Sequence, residues 1–270
     1  MKYASIHTHT VFSDGKQTPR ENVEAALALG MEAIGFSDHS YTSHDHGYCM
    51  KKEREADYIR EIRALKEEYR GRIDISLGLE LDATTLGEYE REAYDYLLGD
   101  CHYVRTPGGY FSVDHAKDWH TALCENWFGG DYIAFARAYF EQYTAAMQEM
   151  KPHVLGHFDL VAKFCMIDES DPRYLRYAKE ALEACLAVTP YIELNTGAIA
   201  RGNRAVPYPA PYLLETVKEK GGKLLLGADS HDTALLTYGF RDALALLPAN
   251  GIRTVCVIKD GKFEEREINL

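Results

Sequence analysis

No stretch of this 270-residue chain approaches the roughly 18 consecutive apolar residues of a membrane span. Its first residues also lack the basic and apolar segments of a secretory signal, so a cytoplasmic protein with no membrane partner is expected. No two of its cysteines (Cys49, Cys101, Cys124, Cys165, Cys185, Cys256) stand in Cys-x-x-Cys spacing, so they are expected to be reduced, mostly buried small apolar residues rather than a disulfide framework. Positive charge is in deficit: 30 lysines and arginines face 42 aspartates and glutamates, a formal net charge of -12. That balance argues against broad nucleic-acid binding, which needs basic surface to neutralise phosphates. An acidic protein can still hold a phosphate locally, given bound cations and a few placed basic side chains. No linker, internal repeat or low-complexity tract interrupts the chain. With 46% hydrophobic residues it can bury a sizeable core, and a single barrel-sized domain over residues 1–270 is expected.

What the chain does have is alternation. Short β-branched or apolar runs recur at 3–7, 33–37, 73–79, 96–104, 153–157, 191–195, 223–228 and 253–258, with helical periodicity between most of them. Thr18-Pro19-Arg20-Glu21 reads as a capping box with proline at the first helical position, and Gly30 supplies the stop. Residues 53–70 place Ile59, Ile62, Leu65 and Tyr69 at helical spacing among charges. Asp171-Pro172 opens another helix, carrying Leu175, Ala178, Leu182 and Cys185, and a further one fits 209–220 before Gly221-Gly222. Strand alternating with helix implies a parallel sheet with helices outside, and seven or eight such units imply a barrel. Residues 104–130 break the pattern with a glycine-bounded loop rich in aromatics and histidine, a place where substrate pockets are commonly shaped.

The first run ends in His7-Thr8-His9, two histidines of one strand parity. An isolated His-x-His is weak, more often two polar strand residues than a metal site. In parallel α/β folds ligands gather at the C-terminal ends of strands, so the residues finishing each run decide the matter. They are Asp14 after the first, His39 after the second, Glu80 after the third, His102 after the fourth, His157 after the fifth, and Asp229 with His231 after the seventh. Each alone is an ordinary polar residue. Six of eleven histidines at successive strand ends are not scattered surface residues, and with the carboxylates they supply mixed nitrogen and oxygen ligands for two or three first-row cations.

In order, His7-Thr8-His9-Thr10, Phe36-Ser37-Asp38-His39-Ser40, Gly78-Leu79-Glu80, Gly99-Asp100-Cys101-His102, Gly156-His157-Phe158-Asp159 and Gly227-Ala228-Asp229-Ser230-His231 resemble the successive motifs of the PHP (polymerase and histidinol phosphatase) family. The resemblance runs from residue 7 to 231, and the motif spacing is similar to the stand-alone histidinol-phosphate phosphatase branch. It implies a distorted (β/α)7 TIM-like barrel with metals at the C-terminal ends of the strands. It also implies a first metal position held by His7, His9, Glu80 and Asp229, a second held by Glu80, His102 and His157, and a third held by Asp14, His39 and His231, with Zn, Mn or Fe as the ions. Two departures from the family pattern are visible: Cys101 precedes His102 where serine is frequent, and Ala200 stands where a basic residue is expected, leaving Arg201 or Arg204 to bind substrate phosphate.

The reaction implied is hydrolysis of L-histidinol phosphate to L-histidinol and phosphate in histidine biosynthesis, by in-line attack of a metal-bridging hydroxide. Glu80, Asp229 and His231 are expected to carry the catalysis, and Arg201, Arg204, Lys163 and His44 to meet the substrate. No cysteine or serine sits in a nucleophile motif, in keeping with direct attack by water. The Tyr and Trp residues of 103–132, notably Tyr110, Trp119 and Trp127, are candidates to line the pocket, while His115, His120 and His153 read as structural or surface residues. Two alternatives stand beside this reading: a PHP phosphoesterase acting on another small phosphomonoester or nucleotide, and a non-catalytic PHP module with structural metals. Oligomeric state is not legible.

Overall fold

A computed structural model describes residues 2–85 and 89–269. The strands, in chain order, are β1 (Ala4–Ser5), β2 (Ala33–Phe36), β3 (Asp74–Asp82), β4 (Tyr96–Asp100), β5 (Tyr103–Thr106), β6 (Gly109–Ser112), β7 (Val154–Leu155), β8 (Tyr191–Asn195), β9 (Lys223–Gly227), β10 (Thr254–Lys259) and β11 (Lys262–Glu267). The main helices are α1 (Pro19–Ala28), α2 (Glu55–Glu68), α3 (Lys117–Phe128), α4 (Tyr132–Met150) and α5 (Pro172–Leu186), followed by the shorter α6 (Gly197–Ala200), α7 (Leu214–Glu219) and α8 (Phe240–Leu246). The sheet order is β1-β2-β3-β4-β7-β8-β9-β10-β11, and every pair is parallel except β10–β11. The curl closes between β9 and the start of the chain. Ile6 N–H donates to Leu226 O at 2.9 Å, His9 N–H to Ser230 O at 2.9 Å, and Thr8 bridges Ser230 in parallel sense. Seven parallel strands therefore form the expected distorted barrel. β10 leaves it through a single pairing, Cys256 with Leu225, and packs across β1, β2 and β3.

Strand parity divides the interior into two zones. Near the N-terminal ends, Ile6, Tyr96, Leu98, Val154, Leu225, Cys256 and Ile258 make a dry plug. The alternate positions Leu77, Leu79, Leu81, Ile192, Leu194, Leu224 and Leu226 pack outward against the helices. Toward the C-terminal ends the same inward rows turn polar, giving Glu80 and Asp82 on β3, Asp100 on β4 and Glu193 on β8, each almost wholly buried. The plug is close-fitting. The buried Tyr96 ring fills the space opposite two glycines, and a Cβ at Gly78 would lie 2.2 Å from its Cζ.

Most elements fall where the sequence puts them, including α1 with its capping box on Thr18 and Glu21 and α5 with its Asp171 cap. Three expectations need correction. The run at 96–104 breaks after Asp100. The supposed loop at 104–130 is instead a β5–β6 hairpin followed by α3, because Pro107, Gly108 and Gly109 turn the chain back on itself. The opening strand ends at Ser5, and the chain bends at Ile6, so that Ile6 joins the plug while His7 also faces inward. No helix among the described residues is long and apolar enough to cross a membrane.

Substituting Gly78→Ala forces a methyl into the Tyr96 ring and is expected to cost about 1–3 kcal/mol or more in denaturant unfolding. In a Tyr96→Leu background the same change should cost far less; an equal cost in both backgrounds would mean the ring is not what the glycine accommodates.

Candidate metal centre

Glu80 stands at the middle of the C-terminal mouth, 1% exposed. Its Oε1 lies 3.4 Å from His7 Nε2, 3.5 Å from His102 Nε2 and 3.1 Å from His157 Nε2. Its Oε2 lies 3.6 Å from His9 Nε2 and 2.7 Å from His39 Nδ1. One carboxylate thus faces five imidazoles from four different strand ends, those of β1, β2, β4 and β7. On the other side of His9, Asp229 Oδ1 is 3.2 Å from His9 Nε2 and 3.8 Å from His7 Nε2. Asp14 completes the outer edge, 3.6 Å from His9 Nδ1, 3.9 Å from His39 Nε2 and 3.2 Å from His231 Nε2.

All nine sequence-predicted ligands, His7, His9, Asp14, His39, Glu80, His102, His157, Asp229 and His231, converge on this one region. Ligand atoms fall into four close groups: His9, Asp14, His39 and His231; His7, His9 and Asp229; His39, Glu80 and His102; and Glu80, Asp100 and His157. The grouping differs from the expected one: Glu80 falls outside the His7, His9 and Asp229 group, His102 and His157 sit in separate groups with it, His9 also joins the Asp14 group, His39 also joins Glu80, and Asp100 joins His157.

Three histidines are braced from behind by carboxylates. His7 Nδ1 donates to Glu193 Oε1 at 2.7 Å, His102 Nδ1 lies 3.2 Å from Asp82 Oδ2, and His157 Nδ1 lies 2.9 Å from Asp100 Oδ1. Each contact leaves Nε2 facing the centre, the arrangement that orients a metal-binding imidazole. None of the three was singled out from the sequence. Their signal was the same i, i+2 parity that marks His7 and His9: Glu80 with Asp82, Asp100 with His102, and Glu193 with Asn195.

Electrostatics show how unnatural this cluster is without cations. Burial opposes ionisation of Glu80 and Asp229, yet His39 and His7 around the one, and Arg201 and His7 around the other, hold both carboxyls well below their usual range. Burial, with His231 and His39 nearby, drives His9 down to about 3. Burial also opposes the charge on His102, but Glu80 and Asp82 lift it to about 9. Among the described residues, His7 Nε2, both ring nitrogens of His9 and Glu80 Oε2 are buried with no hydrogen-bond partner. Orphaned buried nitrogens and a carboxylate oxygen converging on one space are what a coordinated cation satisfies, so the residues fit a metal. Asp229 adds a backbone signature: its φ of 47° lies in the left-handed region, uncommon for a non-glycine residue and characteristic of strained functional positions.

The centre opens into a cavity of about 490 Å³, whose wall includes Asp14, His39, His102, His157, Asp229 and His231. Lys163 and Arg201 share that wall. Arg201 pairs with the Asp229 carboxylate, and its Nη1 donates to Asp229 O at 3.0 Å; Lys163 Nζ is 3.0 Å from Asp114 Oδ2. Arg204 does not belong there. It is buried, its Nη1 2.9 Å from Asp159 Oδ2 and its Nη2 2.6 Å from Glu169 Oε2, an internal ion pair with no face toward the cavity. His44 is exposed and packs against Tyr103 and Tyr110 one layer outside the wall. Tyr110, Trp119 and Trp127 are also exposed and do not line the cavity: Tyr110 packs on His44, and the two tryptophans pack on Phe111. The lining tyrosines are Tyr103, at the edge of the expected 103–132 range, and Tyr48, outside it; His115, expected elsewhere, is also on the wall.

The chain is similar to known proteins over most of its length. The model of the family described as PHP domain matches residues 5–197. A Deinococcus radiodurans protein named probable histidinol-phosphatase is 31% identical over 261 residues, 92% of this chain and 94% of the relative. The histidinol-phosphatase of Bacillus subtilis is 28% identical over 260 residues, 87% and 95% of the two chains. In structure, the histidinol phosphate phosphatase of Lactococcus lactis, crystallised with zinc, L-histidinol and phosphate, superposes with a TM-score of 0.72 at 22% identity, covering 97% of this chain and 99% of its own. That last likeness establishes the fold.

Two outcomes follow from the contacts. A metal binds neutral imidazole, so with His102 raised to about 9 the metal-free protein must shed protons to load at pH 7, and affinity should climb as pH rises toward 9. Calorimetry in two buffers of different ionisation enthalpy should show buffer-dependent heats; identical heats would contradict the sign. Arg204→Met leaves Asp159 buried without its partner, an expected loss of about 3–5 kcal/mol in unfolding with metal content unchanged.

Proposed function

Because this chain belongs to the PHP domain family, we propose that its centre hydrolyses L-histidinol phosphate to L-histidinol and phosphate. The observation that carries the reading is the full ligand set around Glu80, opening into a cavity that also holds Arg201 and Lys163. A relative covering almost the whole chain at 31% identity supports it, as does the crystallised neighbour that holds zinc, L-histidinol and phosphate.

Charge favours more than one ion. Asp14, Glu80, Asp82, Asp100, Glu193 and Asp229 are six carboxylates at one barrel mouth, and neutral imidazoles offset none of them. Two or three divalent cations bring that region close to neutrality, which a buried cluster of like charges requires. His7, His9, Glu80 and Asp229 would hold the first, Glu80, His102 and His157 the second, and Asp14, His39 and His231 the third. Bound there, divalent ions of the Zn, Mn or Fe class lower the pKa of a water and neutralise phosphoryl oxygens.

The protein's own groups do the rest. Arg201 and Lys163 take the non-bridging phosphate oxygens, supplying charge where it spreads in the transition state. Asp229 and His231, both on the cavity wall, stay deprotonated as ligands, so the leaving oxygen takes its proton from water in the cavity. Tyr48, Tyr103, Asp45 and Asp114 offer ring faces and carboxylates to the imidazole and amine of the substrate. Water attacks phosphorus directly, so no residue need be phosphorylated.

Phosphate release should be fastest from L-histidinol phosphate, slower from a nucleoside monophosphate and an aryl phosphate, and lost in chelator. Preference for the nucleotide would select a different phosphoesterase reading, and no release from any substrate by metal-loaded protein would overturn the enzyme reading. Glu80→Gln should abolish turnover with the fold retained, and Arg201→Met should lower kcat/KM by about 100-fold, about 2.7 kcal/mol of transition-state stabilisation.

A further inference from the structure

Glu193 lies outside every proposed ligand group, yet it touches two of them. It is 0% exposed at an inward position of β8. Its Oε1 accepts from His7 Nδ1 at 2.7 Å, and its Oε2 accepts the backbone N–H of His157 at 3.0 Å. His7 comes from the beginning of the chain and His157 follows β7; under the reading above they serve different metal positions. Asp82 contacts only His102 among the ligand histidines, and Asp100 only the His157 ring. Glu193 alone among these three buried carboxylates joins ligands of two positions.

The neighbouring strand is shaped around it. Gly227, on β9, has an ordinary φ, so its backbone does not demand glycine. Space does: a Cβ there would lie 1.7 Å from Glu193 Oε1. Gly156 makes the corresponding room for Asp100, where a Cβ would lie 2.2 Å from either carboxylate oxygen. The glycine at each strand end thus leaves the volume that a bracing carboxylate from the adjacent strand occupies.

We propose that Glu193 is a positioning residue for two metal positions at once, fixing the His7 ring by one oxygen and the His157 main chain by the other. The proposal rests on the reading that this centre binds divalent cations. Losing a carboxylate behind a metal-bound histidine typically weakens metal affinity by about 10–100-fold. Glu193→Gln keeps size and removes the charge while placing an amide donor against one of two donors, so its damage should reach both positions.

The test is competition for zinc between metal-free protein and a chromophoric chelator, together with the visible spectrum of the cobalt(II)-loaded protein. Glu193→Gln should weaken two binding steps by about 10–100-fold each and alter the cobalt bands, whereas Asp100→Asn should weaken one step. Wild-type affinity and wild-type cobalt bands in Glu193→Gln would overturn the proposal. Wild-type protein that binds neither ion would overturn the metal reading itself, a separate result. Gly227→Ala gives an independent readout if Glu193→Gln does not fold: by displacing Glu193 it should weaken the same two steps, and unchanged metal binding in that variant would equally overturn the role assigned to Glu193.

Discussion

Everything at the C-terminal mouth depends on burying carboxylates where water cannot reach them. Glu80 has five imidazoles within 4 Å, and behind those imidazoles stand Glu193, Asp82 and Asp100. Ionised groups at such burial need opposite charge close by, from protonated histidine, arginine or a cation. Protonated histidine neutralises but cannot coordinate, and so the state with charged imidazoles and the state with bound cations exclude each other. Arg201 against Asp229 is the one permanent cation among the described contacts to the ligand carboxylates, which is why that aspartate stays ionised in spite of its burial.

That instability is tolerated because the other end of the barrel is built differently. There the inward rows are apolar, the Tyr96 ring occupies the volume left by glycines, and its hydroxyl donates to Phe36 O at 3.2 Å and also to Ile6 O. Dry packing of this kind carries stability with no dependence on pH or ions. Along a single strand such as β4, the pattern runs from Tyr96 and Leu98 in the plug to Asp100 at the centre. The period-2 rule therefore sorts stability to one end and chemistry to the other.

Much of this was readable in the sequence, for a definable reason. A ligand at a strand end is announced by its position, so the nine predicted ligands could be picked from alternation and residue type. What was not readable depends on partners far along the chain. His7 and Glu193 are 186 positions apart, and nothing local tells that Glu193 turns toward His7. Arg201 and Arg204 look equivalent in sequence; the first follows the last residue of α6 and meets Asp229, while the second meets Asp159 and Glu169 inside the protein. Trp119 and Trp127 misled for a related cause. Once 103–112 forms a hairpin and 117–128 a helix, Phe111, Trp119 and Trp127 have each other to pack against, and the wall takes Tyr103 from the start of the hairpin and Tyr48 from outside it.

The cavity also separates reaction from recognition along the chain. Every proposed metal ligand except Asp14 is within or just beyond an inner strand, and carboxylates brace His7, His102 and His157 from behind. The outer wall comes from elsewhere: Asp45 and Tyr48 from the segment after β2, and Tyr103, Ser112, Asp114 and His115 from the insertion after β4. Loops vary at little cost to a barrel, whereas a displaced strand end disturbs several ligands together. A change of substrate within this architecture is therefore easiest through the two outer segments. A change of metal chemistry must pass through Glu80, whose two oxygens already face all the ligand histidines except His231.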